Sequence, residues 1–241
     1  MLERLRSVLG DRAAPLDVFF RDDDADRDIP ELRRLDAMFA RHEAPVALAV
    51  IPGTLTPECA ALLRSRPHME PHQHGWIHAN HEPDGRKCEF GHSRTFEQQL
   101  IDIARGSQRM SELLGAAWTR AFTPPWNRCT AETFRALDEL GFLILSKDAT
   151  SPPVAAHRFR EVSIGIDIFR WQGGAKLKSE EELMAEFEKR AALPGPIGIL
   201  LHHKVMDDAA FQLVDSLLER LRASRTVSIH TLAALANKEQ S

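Results

Sequence analysis

Short apolar runs alternate with amphipathic stretches along the whole chain. Runs of strand length occur at residues 17–21, 46–51, 69–73, 121–123, 142–146, 161–168, 197–201 and 226–229. Between them, Leu32, Leu35, Met38 and Phe39 recur at helical spacing, as do Phe96, Leu100 and Ile103, then Phe211, Val214, Leu217, Leu218 and Leu221. Several helix boundaries are marked. Thr56 precedes Pro57, a natural first helical residue, and Ser179-x-x-Glu182 reads as a capping box. Gly141 follows a helical pattern over 130–140, where a left-handed cap belongs. This alternation predicts a mainly parallel α/β sheet, either open or closed into a barrel. No Gly/Ser linker, charge block or repeat divides the chain, so residues 1–241 are expected to form a single domain. The longest irregular stretches, 79–94 and 147–160, are long enough to be functional loops.

Composition narrows the function classes. With 31 Lys+Arg against 35 Asp+Glu, the net charge of −4 gives no global pull toward nucleic acid or anionic lipid. No uncharged apolar run approaches the roughly 18 residues of a membrane span. The start, Met1-Leu2-Glu3-Arg4-Leu5-Arg6, has no apolar core of signal-peptide length. Cys59, Cys88 and Cys129 are odd in number and widely spaced, which speaks against a disulfide framework and a thiolate metal site. A reduced, cytoplasmic protein is the expectation. Histidine is concentrated: six of the 11 (His68, His72, His74, His78, His81, His92) fall within 25 residues.

In parallel α/β folds, functional side chains gather beyond the carboxyl ends of the strands. The first strand is followed by Asp22, Asp23, Asp24 and Asp26, and the third by His72-Gln73-His74-Gly75-Trp76-Ile77-His78. The fourth leads into Thr123-Pro124-Pro125-Trp126-Asn127-Arg128, and the seventh ends in His202-His203. His74 and His78, four apart, suit one face of a helical turn. With one carboxylate they make a three-ligand site with open positions, fitted to a catalytic divalent metal, most simply Zn²⁺.

These residues resemble the polysaccharide deacetylases, the NodB-homology domain of carbohydrate esterase family 4. That family has an Asp-Asp pair, a His-(Ser or Thr)-x-x-His motif, an Arg-x-Pro-aromatic segment and a Leu-x-His or Leu-His strand end. Counterparts occur in that order over 17–203. The resemblance implies an irregular (β/α) barrel of about seven to eight strands. It also implies a metal-dependent hydrolase that removes an acetyl group from an N-acetylated sugar or oligosaccharide. Arg21-Asp22-Asp23-Asp24 fits an Arg-x-Asp-Asp variant, making Asp23 the general base and Asp24 a metal ligand with His74 and His78; the alternative register is Asp22 and Asp23. His202 becomes the general acid. Pro125, Trp126 (through its backbone N–H) and Leu200 belong to the substrate and oxyanion side.

Three departures accompany the resemblance. Gly75 replaces the hydroxyl residue between the histidines, so the hydrogen bond of that hydroxyl has to come from elsewhere. Thr123 stands where the third motif has Arg, leaving Arg21 or Arg128 as candidates to pair with the base. Asp167 is a candidate to orient His202, without a residue-by-residue match. His72 and His81 are expected near the site but outside the ligand set, and His203 behind it or at the surface. Trp76, Trp126 and Trp171 are either sugar-stacking faces or core. The expected partner is a small molecule or oligosaccharide, with neither nucleic acid nor membrane. Two other readings stay open: hydrolysis of a cyclic amide or imide on the same fold, and a non-catalytic metal- or glycan-binding module.

Overall fold

Strands buried on both faces dominate the centre of the molecule, as expected where helices cover a parallel sheet. The computed structural model describes residues 15–150 and 157–238; the stretch read at Met1–Arg6 and the middle of 147–160 lie outside them. In chain order the first elements are β1 (Leu16–Ala25), α1 (Pro30–Arg41), β2 (Val46–Val50), α2 (Pro57–Arg64), β3 (Met69–His74) and α3 (Phe96–Leu114). There follow β4 (Thr119–Thr123), α4 (Ala131–Glu139), β5 (Ile144–Leu145), β6 (Arg160–Glu161), β7 (Ile166–Asp167), β8 (Phe169–Arg170) and β9 (Lys176–Leu177). The chain continues with α5 (Glu180–Ala191), β10 (Ile197–Leu201), α6 (Asp208–Ala223), β11 (Val227–Ile229) and α7 (Leu232–Asn237).

The parallel sheet runs β6-β5-β4-β3-β2-β1-β10-β7, with β11 beside the start of β1. It curls because its two edge strands belong to one bent segment. Arg160 and Val162 donate to Leu143 and Leu145 on the β5 side, while Gly165 and Ile168 donate to Gly198 and Leu200 on the β10 side. The irregular (β/α) barrel that the resemblance implied is therefore present. Two strands differ from the sequence reading. The run 161–168 divides because it changes partner halfway, and 142–146 retains only two paired residues. The antiparallel hairpin β8–β9 and helix α7 carried no clear periodic signal.

Helix starts follow local chemistry. Thr56 and Ser179 cap α2 and α5 as read, the latter as a full capping box, and Gly141 has φ +70 after α4. Outside the sheet, Val18, Phe20, Leu48 and Val50 pack against Leu32, Leu35 and Phe39 of α1 and Val214 and Leu218 of α6. Inside the barrel, Phe19, Ala47, Ala121, Ile144 and Leu200 form a smaller apolar layer with Leu232, Leu235 and Ala236 of α7. The N-terminus of α7 is held there by Glu70, whose carboxylate accepts from Leu232 N at 2.6 Å and Ala233 N at 2.9 Å. Above that layer the lining turns polar, with Arg21, Asp23, His72 and His74 all buried. Among the described residues, no helix is long and apolar enough to cross a membrane.

Candidate metal centre and catalytic rim

Strand alternation places Arg21 and Asp23 on the inner face of β1 and Asp22 on the outer. Asp22 accordingly turns away and accepts from both the Nδ1 and the backbone N of His203, which is fully buried rather than at the surface. Asp24 should follow Asp22 outward, but does not. Between the pairs Asp22↔Leu48 and Ala25↔Val50, β1 carries one residue more than β2, and Asp24 sits at φ +74. This bulge re-aims Asp24, so consecutive aspartates both face the rim. A non-glycine residue in the left-handed region costs backbone energy, a pattern concentrated at functional sites.

Asp24 meets two imidazoles. Its Oδ1 lies 3.3 Å from His74 Nε2 and 3.4 Å from His78 Nε2. His74 Nδ1 donates to the Thr123 carbonyl at 3.0 Å, which orients the ring and turns its Nε2 toward Asp24. His78 reaches the same point by a loop with Gly75 at φ +58 and His78 itself at φ +56, not by the helical turn its spacing suggested. One ligand atom from each residue lies within 4.8 Å of the others. Asp24 Oδ1 is buried and has no hydrogen-bond partner. An orphaned carboxylate oxygen aimed between two imidazole nitrogens is costly unless a cation joins them. The separations also fit, because tetrahedral ligands about 2.1 Å from a metal stand roughly 3.4 Å apart. Burial opposes the Asp24 charge, yet His74 and His78 hold its carboxyl far below the usual range. Burial and the neighbouring His74 push His78 down to about 4, keeping it neutral and available as a ligand.

Asp23 is held separately. The Arg21 guanidinium grips both its oxygens, Nε to Oδ1 at 2.8 Å and Nη2 to Oδ2 at 3.0 Å. Arg21 also donates to the Ser146 carbonyl and hydroxyl and, at 2.7 Å, to Asn127 Oδ1. Of the two candidates, Arg21 is the one that pairs with Asp23; Arg128 donates instead to the Lys87 carbonyl. Thr123 has a different task, pairing with His72 Nε2 at 2.8 Å beneath the ligands. Burial, with Arg21 nearby, lowers His72 to about 3, so it remains a neutral support. Asn127 and Trp126 both have left-handed φ values, +57 and +55, and the Trp126 ring lies 4.3 Å from that of His78.

His202 ends β10 on the inner face above Leu200, which is buried in the apolar layer. The Trp171 ring stands edge-on to it at 4.6 Å. Asp167 does not bond the imidazole as expected. Its oxygens accept from Phe169 N and Trp171 Nε1, so it orients the tryptophan instead, and His202 Nδ1 has no partner. Pro125 is buried beside Gly75, and Trp171 is half exposed. His81 is exposed among Glu82, Arg94 and Asp102. Sequence reasoning did not single out Asn127, Ser146 or Glu89. The first two adjoin a motif and a strand end that it did identify. Glu89 lies in the irregular stretch 79–94 read as long enough to be functional, but no motif marked it within that stretch.

No protein-family model matches the chain, and neither does any curated protein. Solved structures do. A putative polysaccharide deacetylase from Mycobacterium smegmatis superposes with TM-score 0.72 at 17% identity, covering 93% of this chain and 92% of that one. A family 4 acetyl xylan esterase from Clostridium thermocellum, in complex with a cobalt ion, gives TM-score 0.62 at 16% identity over 91% and 89%. A carbohydrate esterase family 4 pseudoenzyme from Bacillus anthracis gives 0.63 at 10% identity over 95% and 68%. At these identities the likeness is one of fold.

Proposed function

From a chain that has the NodB-homology fold of carbohydrate esterase family 4, we propose a metal-dependent deacetylase acting on an N-acetylated sugar or oligosaccharide. The carrying observation is the orphaned Asp24 oxygen between His74 and His78, with a second carboxylate held apart on Arg21. Asp24, His74 and His78 would hold the divalent ion, Zn²⁺ being the simplest choice for one carboxylate and two imidazoles. When bound, the ion polarises the acetyl carbonyl and acidifies water.

The chain's own residues supply the rest. Asp23, anchored by Arg21, takes a proton from the attacking water. The Trp126 backbone N–H donates to the developing oxyanion, in a segment already fixed by Asn127 on Arg21. His202, against Trp171 and with Leu200 below it, returns a proton to the departing amine. Two groups divide the transfers, so neither has to serve both faces of the reacting carbon. The test is metal-stripped protein reloaded with Zn²⁺ or Co²⁺ and offered N-acetylated sugars, a chromogenic acetyl ester and cyclic imides. Metal-dependent acetate release from an N-acetylated sugar is expected. Turnover of the imides alone would assign the cyclic-amide reaction, and metal uptake without turnover a binding module.

A further inference from the structure

We propose that Glu89 positions the His74–His78 loop for metal binding, a task that here falls to a carboxylate further along the same β3–α3 connection and not to a side chain at position 75. The inference rests on the metal reading above and adds a residue to it. Glu89 is fully buried, and its two oxygens face the backbone between the histidines. Oε1 accepts from Ile77 N at 2.9 Å and Oε2 from Trp76 N at 3.3 Å. Two consecutive amides converging on one carboxylate pin the middle of the loop, leaving its two ends, His74 and His78, little freedom to part.

Position 75 is shaped by the same carboxylate. A Cβ added to Gly75 would stand 2.1 Å from Glu89 Oε2 and 2.6 Å from Pro125 Cγ. Any side chain there would collide with the group that holds the loop, and the φ of +58 adds its own preference for glycine. Glycine at 75 and glutamate at 89 are therefore two halves of one arrangement. Glu89 is itself rigidly held. Arg128 Nη1 donates to the Lys87 carbonyl at 2.7 Å, Cys88 Sγ lies 3.4 Å from the Arg128 carbonyl, and Phe90 bridges to Cys129. The Phe90 ring is fully buried, edge-on to Phe122 at 5.5 Å. Burial raises the Glu89 carboxyl, and the loop amides and His74 work against that rise.

The experiment titrates metal-stripped wild type, Glu89→Gln and Glu89→Leu with Co²⁺ alone, reading its visible absorption bands and the Kd by chelator competition. Amide exchange at Trp76 and Ile77 is measured in parallel on the metal-free proteins. Glu89→Leu, similar in size but without acceptors, is expected to weaken cobalt binding by about 10–100-fold and to speed exchange at both amides. Glu89→Gln keeps one accepting oxygen and should fall between. Cobalt affinities within threefold of wild type in both variants would overturn the proposal. So would weaker binding with unchanged exchange, since the effect would then bypass the loop. If Glu89→Leu does not fold, Glu89→Gln decides at the same threefold threshold. Wild type that takes up no cobalt would instead overturn the metal reading on which this one rests.

Discussion

Asp23 and Asp24 are neighbours in sequence, both held ionised but by different partners. Burial alone would lift the Asp23 carboxyl, but Arg21, with His74 and His202, holds it below the usual range and therefore ionised. Asp24 owes its ionisation to the imidazoles that would share its metal. Asp23→Asn should therefore keep cobalt affinity and abolish deacetylation, whereas Asp24→Asn should weaken cobalt binding itself; spectroscopic titration beside an acetate-release assay reads both. Loss of turnover in Asp22→Asn with full metal binding in Asp24→Asn would shift the register by one residue. At His202 the expectation concerns the leaving group. His202→Ala should retain metal and lose about 10²–10⁴ in rate on acetamides. An activated acetyl ester, whose leaving group needs no proton, should lose less, and equal losses on both substrates would remove His202 from the acid role.

At the scale of elements, β3 carries both a support and a ligand on one face. His72, driven to about 3 by burial, binds no proton in the folded state over a range where an unfolded histidine, near 6.5, does. The unfolded state then takes up more protons, so the stability His72 contributes is full above about pH 6.5 and falls as pH drops toward 3. In metal-free protein the melting temperature should decline on acidification from pH 7 to 4, and His72→Gln should flatten that decline. Parallel slopes would show that His72 is not the group responsible. The strands and long helices were legible because local periodicity and capping residues set them; residues 197–201 form the strand that their apolar run indicates. The residues of the candidate metal site were legible by type and order. Their directions were not, because alternation sends Asp24 outward and only a register shift against β2 reverses it. Glu89 was hidden for a related reason, since its bonds fold the β3–α3 connection back on itself and follow no repeating spacing.

Taken as a whole, the molecule is a barrel stoppered by apolar side chains at one end and lined by charged and polar ones at the other. Helix α7 and the Phe19–Leu200 layer fill the end where Glu70 lies, and the guanidinium, carboxylates and imidazoles occupy the other. The wall is uneven. The β1, β2 and β3 pairings run over several residues, whereas β5 pairs with β4 and with β6 over two residues each and β7 with β10 over two, Ile164 adding a single bridge to Asp148 where the partner changes. A wall whose short ladders meet along this seam should breathe there first, because opening free energy follows the local density of bonds and contacts. Native-state exchange should therefore show the amides of Val162, Ile164, Gly165 and Ile168 opening well before those of Phe20, Leu48 and His72. The seam borders Ser146, which anchors Arg21, on one side and the strand ending in His202 on the other. Because Asp22 pairs with Leu201 across β1 and β10, Asp23 and His202 would stay beside each other when that seam opens, and the opening would loosen the Ser146 anchor of Arg21 instead. The barrel's lighter stitching thus falls where the guanidinium is moored, and not under the residues of the candidate metal site.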